Sequence, residues 1–181
     1  MKTFDKKVNI PSYLHELHGK QSSIFDLLVN YTTVISITSI IIYLGLNLSL
    51  TTFKLFILGI LAFDLSGGVV SNFTNGTNRY YIQNIKMRYL FIVLHVVQPL
   101  LLLWLFPEDL IEILIIAIYT LIAMIIIDSV EKHSKQRVLG AFLMVIGVSI
   151  SFLMENIEGV VHLMLILFII KLIMAFAVKW K

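Results

Sequence analysis

The sequence predicts an all-α membrane protein, a bundle of six transmembrane helices with both termini in the cytoplasm. The first observation behind this fold class is composition: 59% of the 181 residues are hydrophobic and 14% are charged, whereas soluble domains carry about a quarter charged residues. The second is that the charges lie between long apolar runs, as in multi-pass membrane proteins. The third is the alternation of lysines and arginines between successive connections.

Six apolar runs account for most of the chain. Each has about 18–24 residues, which is enough to cross a hydrocarbon core of ~30 Å as a helix. The polar segments between them are too short to form a soluble domain. We therefore divide the chain into a cytoplasmic N-terminal segment, 1–25, and a transmembrane domain, 26–181. The predicted spans are 27–47, 51–73, 89–106, 110–128, 138–154 and 159–178.

The positive charges predict the orientation of these spans. Of the 14 lysines and arginines, all except Lys54 and Lys171 lie in the N-terminal segment, the 2–3 connection, the 4–5 connection or the C-terminal tail. Cytoplasmic connections carry such an excess, so these four segments are predicted to be cytoplasmic. The net charge of +3 has the same origin, and no nucleic-acid partner is predicted. We expect a multi-pass protein of the cell membrane.

The N-terminal segment contains a short predicted helix. No apolar stretch followed by a cleavage site precedes span 1, so we expect the segment to be retained. Pro11 favours the start of a helix, which Gly19 would end. Tyr13, Leu14 and Leu17 share one face of it. We therefore expect this helix to lie on the membrane surface.

A polar stripe follows one face of span 2. A carboxylate within a span is costly unless it faces a partner or a wet cavity, and Asp64 lies deep in this span. Small and polar residues recur after it at three- and four-residue steps and so share its face. The dipeptide Asn75-Gly76 is typical of a turn, and we place the start of the 2–3 connection there. The stripe comprises Asp64, Gly67, Gly68, Ser71, Asn72 and Asn75.

A second polar face lies on span 3. Arg88 and His95 are seven residues apart on one helix face, and Gln98 follows about one turn later. Pro99 has no N–H, so the carbonyl of His95 loses its helical donor. In lipid, that carbonyl must be satisfied by a side chain, by water or by a ligand.

Depth connects three ionisable residues on different spans. At ~1.5 Å per residue, Asp64, His95 and Lys171 all lie on the order of 10–14 Å from the cytoplasmic ends of their spans. They would form one buried polar site if their faces met. Asp128, at the basic end of span 4, is instead expected to be solvated. The candidate ligand-binding residues are Asp64, Ser71, Asn72, Asn75, Arg88, His95, Gln98 and Lys171.

Two motifs in spans 2 and 3 carry a resemblance. D-x-x-G-G-V-V-S-N-x-T-x-x-T-N-R-Y-Y runs from Asp64 to Tyr81, and H-V-V-Q-P runs from His95 to Pro99. Together they resemble a group of small bacterial six-helix integral membrane proteins. The resemblance implies this architecture and carries no activity to the chain.

Two enzyme families do not fit the sequence. Six-helix peptide-processing enzymes of the quorum-sensing type need a catalytic cysteine, and the chain has none. Intramembrane hydrolases of the ceramidase type hold zinc with three histidines, an aspartate and a serine. Only His95 lies at the right level for such a site. No metal site is predicted, and the residues indicate no particular cofactor.

Three functions remain open. In the first, Asp64 and His95 bind a small solute, a cation or a proton in a site that opens toward the cytoplasm, in a binding or transport protein. In the second, the chain is an enzyme acting on lipid or isoprenoid head groups. His95 is then the general base, Asp64 its orienting carboxylate or a metal ligand, and Arg88 and Lys86 are phosphate contacts. In the third, the polar residues only fix helix packing in an accessory subunit. Besides the lipid bilayer, we expect either a second copy or a partner membrane subunit.

Overall fold

The computed structural model describes residues 5–180, and helices account for most of them. Two short strands near the N-terminus are the exception. The elements in chain order are β1 (Lys7–Asn9), a 3-10 turn (Ser12–Leu14), α1 (His15–His18), β2 (Gln21–Ser23), α2 (Ile24–Leu46), α3 (Thr52–Phe73), α4 (Asn75–Gln83), α5 (Ile85–Leu94), α6 (Val97–Leu105), a 3-10 turn (Pro107–Asp109), α7 (Leu110–Ser129), α8 (His133–Phe152) and α9 (Gly159–Ile169), which continues as a π-helix over Ile170–Ala177.

Six stretches of helix are long and apolar enough to cross a membrane, as the sequence predicts. The last is the most enclosed: 67% of its most apolar window is buried, against 17% for the first. It packs against α2, α3, α7 and α8, so it forms the centre of the bundle. Its buried side chains, which include Leu172 and Ile173, belong to the main apolar core.

Span 3 is interrupted where the sequence places Pro99. His95 and Val96 form a turn between α5 and α6. Pro99 is the third residue of α6, where its missing N–H has no intrahelical partner to lose. The break lets the chain restart as a new helix, and it places His95 at the junction rather than inside a continuous helix.

The 2–3 connection is helical, so the turn predicted at Asn75-Gly76 is wrong. Thr74 lies between α3 and α4 and caps both. Its hydroxyl donates to the carbonyl of Ser71 at 2.7 Å and accepts from the N–H of Thr77 at 3.4 Å. The cap allows α4 to begin at once, with Asn75 as its first residue.

The N-terminal segment folds back on α4. Strand β1 pairs antiparallel with β2, an arrangement that the all-α prediction missed, and α1 lies between the two. The short helix ends at Gly19 as predicted, with φ of 69°. A Cβ at Gly19 or at Gly76 would collide with backbone atoms on the other side of the contact. These two glycines therefore allow the segment and α4 to touch backbone to backbone.

The segment, α4 and the C-terminal end of the chain lie at the same end of the bundle. The hydroxyl of Thr77 donates to the carbonyl of Leu17 at 2.8 Å. The amide of Asn78 donates to the carbonyl of Val178 at 3.3 Å. We call this the termini end of the bundle.

Candidate functional site: a polar cavity between α3 and α5

A cavity of about 510 Å³ lies between α3 and the α5–α6 span, with α1 at its termini end. Its volume falls in the range of small-molecule sites, about 300–1,000 Å³. Apolar side chains form much of the wall. The polar and ionisable side chains that line it are Tyr13, Glu16, Asp64, Ser71, Asn72, Tyr81, His95, Gln98 and Lys171.

An ion pair forms the floor of the cavity. The ammonium of Lys171 lies 2.9 Å from Oδ2 of Asp64 and also donates to the Asp64 backbone carbonyl at 3.1 Å. The lysine is 1% exposed, whereas the carboxylate side chain is 45% exposed on the cavity side. Gly68 makes this approach feasible, because a Cβ there would overlap the end of the lysine side chain. The polar faces of spans 2 and 6 therefore meet at this level.

Gln98 joins the ion pair from α6. Its amide Nε2 donates to the same oxygen, Oδ2 of Asp64, that Lys171 contacts. Among the described residues, no side chain donates to the other carboxylate oxygen, Oδ1. The carboxylate fixes the orientation of the amide, so Oε1 of Gln98 points away from the pair as an acceptor.

His95 is held by its own helix. Its Nδ1 lies 2.6 Å from the carbonyl of Phe91, and a carbonyl only accepts hydrogen bonds, so Nδ1 carries a proton. In the neutral ring, Nε2 is then an acceptor. The imidazole stacks on the Phe91 ring at 3.7 Å between centroids, and Phe91 stacks on Phe176 at 3.9 Å. The hydrogen bond to the main chain and the stacking on Phe91 together fix the orientation of the imidazole.

Three buried polar atoms of this wall have no hydrogen-bond partner within residues 5–180. They are Nδ2 of Asn72, Nε2 of His95 and Oε1 of Gln98. The three residues are 3%, 6% and 9% exposed. An unpaired buried polar group costs about 1–3 kcal/mol, so each of these atoms calls for an explanation. They come from α3, the α5–α6 junction and α6, and all line the same cavity.

The termini end of the cavity is covered by the N-terminal segment and α4. Tyr13, Glu16 and Leu17 line it from the segment, and Tyr81 lines it from α4. Burial raises the pKa of the Tyr81 phenol, and the nearby Glu16 carboxylate raises it further. The phenol therefore remains a neutral donor and acceptor across the physiological pH range.

Arg88, a predicted site residue, does not reach the cavity. Its side chain is 1% exposed and pairs with Asp128, with Nη2 at 2.6 Å from Oδ1. It also donates to the carbonyls of Phe176 and Ala177 at 3.2 and 3.0 Å. Asp128 is thus the half-buried partner of a buried arginine and not the solvated residue that the sequence predicted, because α5 and α7 bring the two charges together.

The remaining predicted residues divide between cavity and surface. Ser71 lines the cavity. Asn75 is exposed at the start of α4 and is not part of the wall, because the chain turns at Thr74 and carries the stripe away from α3. The structure therefore brings together six of the predicted residues: Asp64, Ser71, Asn72, His95, Gln98 and Lys171.

Phe91 and Glu16 are two of the wall residues that sequence reasoning missed. Phe91 lies four residues before His95 on the same helix face, so the spacing alone indicates a contact. Glu16 reaches the cavity only because the N-terminal segment folds back over α4. No pattern within the segment itself indicates that return.

The architecture and the site define the class of this chain: a multi-pass helical membrane protein with six candidate spans and a polar cavity among them. Comparison with protein-family models, with curated proteins and with solved structures finds no significant match.

Proposed function

We propose that the protein binds a small polar ligand in the cavity between α3 and α5. The observation that carries the proposal is the set of three unpartnered atoms on Asn72, His95 and Gln98. They line a cavity of suitable volume whose floor is already a satisfied ion pair. A ligand that hydrogen-bonds to these atoms would remove the cost of burying them.

Helix packing explains part of the site but not the three unpartnered atoms. The Asp64–Lys171 pair joins α3 to the last span, and an interhelical contact of this kind serves structure by itself. The side chain of Asn72 makes no hydrogen bond to any described residue, so it contributes no interhelical hydrogen bond to packing. A polar side chain with no internal partner is better explained by a ligand.

Hydrolysis or transfer at lipid phosphates has less support than binding. That hypothesis needs a cation for the phosphate, and Arg88 is committed to Asp128 and to two backbone carbonyls. Lys171 is covered by Asp64. Within residues 5–180, no three histidine, aspartate or glutamate side chains are grouped to hold a metal ion.

The ligand enters, in this proposal, from the cytoplasmic side. The N-terminal segment, α4, the end of α7 and the residues after the last helix share the termini end. These segments carry the basic residues, and the positive-inside rule favours a cytoplasmic position for that end. Tyr13, Glu16 and Leu17 stand at the entrance. The N-terminal segment must therefore move or leave a gap for a solute to pass.

A stability screen tests the proposal even while the ligand is unidentified. The purified protein is heated in the presence of amines, polyols, carboxylates, phosphates and inorganic cations. We expect one class to raise the Tm, since a ligand at 100 times its Kd adds about 2.7 kcal/mol. The same compounds should have no effect on Asn72→Leu/His95→Phe. A wild-type protein stabilised by none of the classes, or a double variant stabilised equally, would count against binding.

A further inference from the structure

The hydrogen-bonding capacity of the cavity identifies the chemistry of its ligand. Three acceptor atoms on residues of its wall receive no hydrogen bond from a described side chain: Oδ1 of Asp64, Nε2 of His95 in the neutral ring and Oε1 of Gln98, of which the last two are enclosed atoms. The one unpartnered donor among the buried atoms of this wall is Nδ2 of Asn72. A ligand that matches this set must supply several N–H or O–H donors.

The charges on the cavity wall narrow the choice of ligand. The charged side chains on the wall are Asp64, Glu16 and Lys171, which leaves one carboxylate in excess when His95 is neutral. Lys171 is 1% exposed behind Asp64, so it is not available to an incoming anion. A cation with three N–H donors satisfies both the charge and the three acceptors, and a primary ammonium group is such a cation.

The outer wall of the cavity is apolar and reaches the lipid-facing surface. Ile60 of α3 stands on one side, with Leu90, Leu94 and Val97 on the other. All four line the cavity and are about half exposed on the outside of the bundle at span level. At this depth the surrounding medium is hydrocarbon, so the gap between α3 and α5 suits an acyl or alkyl chain.

Resting on the proposed function, we infer that the ligand is a primary amine attached to an apolar chain, such as an aminolipid. Its ammonium group binds Asp64, His95 and Gln98, and its chain leaves between α3 and α5 into the bilayer. The polar floor thus binds the ammonium group, and the apolar rim contacts the chain of the same molecule. A ligand of this kind enters from the lipid phase and not through the cytoplasmic entrance proposed above for a water-soluble solute, so the N-terminal segment need not open for it.

The test compares four probes on the protein in phosphatidylcholine nanodiscs. Octadecylamine has the chain, the charge and three N–H donors. Octadecyltrimethylammonium keeps the chain and charge without donors, octadecyl phosphate reverses the charge, and ethylamine lacks the long chain. Binding is measured by native mass spectrometry and by Tm, on the wild type, on His95→Phe and on Ser36→Ala, a control on the exposed face of α2.

We expect octadecylamine to bind the wild type and Ser36→Ala at least roughly tenfold more tightly than the trimethyl compound, because lost charge-assisted hydrogen bonds cost more than 1.4 kcal/mol. His95→Phe should reduce this preference. Equal binding of the two cations, or tighter binding of the phosphate, would overturn the inference. Equal binding of ethylamine would overturn the lipid part alone and leave the proposed function standing. If no probe binds and the broader screen is also negative, the proposed function itself fails.

Discussion

Asp64 and Lys171 lie 107 positions apart in the chain, and their side chains meet at 2.9 Å inside the bundle. The two partners differ in environment: the lysine is fully enclosed, and the carboxylate faces the cavity. Gly68 leaves the space that the lysine side chain occupies. The pair joins α3 to the central helix, and it leaves one carboxylate oxygen free on the cavity side.

This asymmetry predicts that replacing Asp64 and replacing Lys171 lower the unfolding free energy by different amounts. Asp64→Leu leaves an enclosed lysine without a counter-ion, and breaking a buried pair in this way costs about 3–5 kcal/mol. Lys171→Met leaves a carboxylate that the cavity solvates, so we expect about 1 kcal/mol, as for exposed pairs. Unfolding free energies of both variants and of the double variant measure the difference. The double variant should be more stable than Asp64→Leu, and equal costs for the two single variants would contradict this account.

Arg88 is expected to affect stability rather than ligand binding. Its guanidinium contacts Asp128 and two backbone carbonyls at once, a geometry that a lysine ammonium does not reproduce. Arg88→Lys should therefore lower the unfolding free energy by about 3 kcal/mol. The matched control is Arg79→Lys at an exposed position of α4, which should change stability by no more than about 0.5 kcal/mol. If Arg88→Lys is stable but loses ligand, the assignment of Arg88 to structure is wrong.

Docking of the N-terminal segment should depend on pH through His18. Its ring is 4% exposed and lies 3.1 Å from the hydroxyl of Tyr31, and burial lowers its pKa below the usual 6.5. The undocked segment therefore takes up a proton at a higher pH than the docked one, so docking weakens as the pH falls below 6.5. Hydrogen exchange of the segment between pH 8 and 5 measures this effect.

The control for that experiment is His18→Asn, which removes the buried imidazole and leaves the rest of the segment unchanged. Its exchange should follow the ordinary chemical dependence on pH without an added loss of protection. A wild-type segment with unchanged protection down to pH 5 would show that burial of the ring does not govern docking.

The orientation of the bundle can be tested by cysteine labelling, because the natural chain has no cysteine. Lys135→Cys lies on an exposed part of the basic 4–5 region, and Leu153→Cys lies at the opposite end of α8, 81% exposed. We expect a membrane-impermeant maleimide added to intact cells to label position 153 and to label position 135 only after permeabilisation. The reverse pattern would invert the orientation and place the entrance of the cavity outside.

The sequence predicts the spans well because length and hydropathy are local properties. It also places Asp64, His95 and Lys171 at one depth, since rise per residue is constant in a helix. The meeting of Asp64 with Lys171 depends on helix rotation about the long axis, which hydropathy in nearly uniform spans does not specify. The π-helical turn at Ile170–Ala177 is a further change in rotation with no evident sequence signal.

The wrong predictions, for Arg88 and for the N-terminal segment, also concern contacts in three dimensions. Arg88 and His95 do lie near one aromatic column, as their spacing predicts: Arg88 covers Phe176, and His95 stacks on Phe91. The long arginine side chain continues past the ring to Asp128, however, and so leaves the cavity. The return of the N-terminal segment depends on backbone contact with α4, which a one-dimensional pattern does not reveal.

The central claim is that the polar atoms of the cavity wall are kept for a ligand and not for the fold. The most direct test is the unfolding free energy of ligand-free Asn72→Leu, with Gln136→Leu as control. The buried amide nitrogen of Asn72 has no partner among the described residues, so replacing this cavity-lining residue should leave stability unchanged or raise it by about 1 kcal/mol.

Gln136 is equally buried, but its amide bonds to Ile127, Val130 and Lys179, so its loss should cost about 1–3 kcal/mol. We predict that Asn72→Leu is as stable as the wild type and no longer responds to ligand. Asn72→Leu destabilised as much as Gln136→Leu would contradict the claim and assign the cavity wall to helix packing.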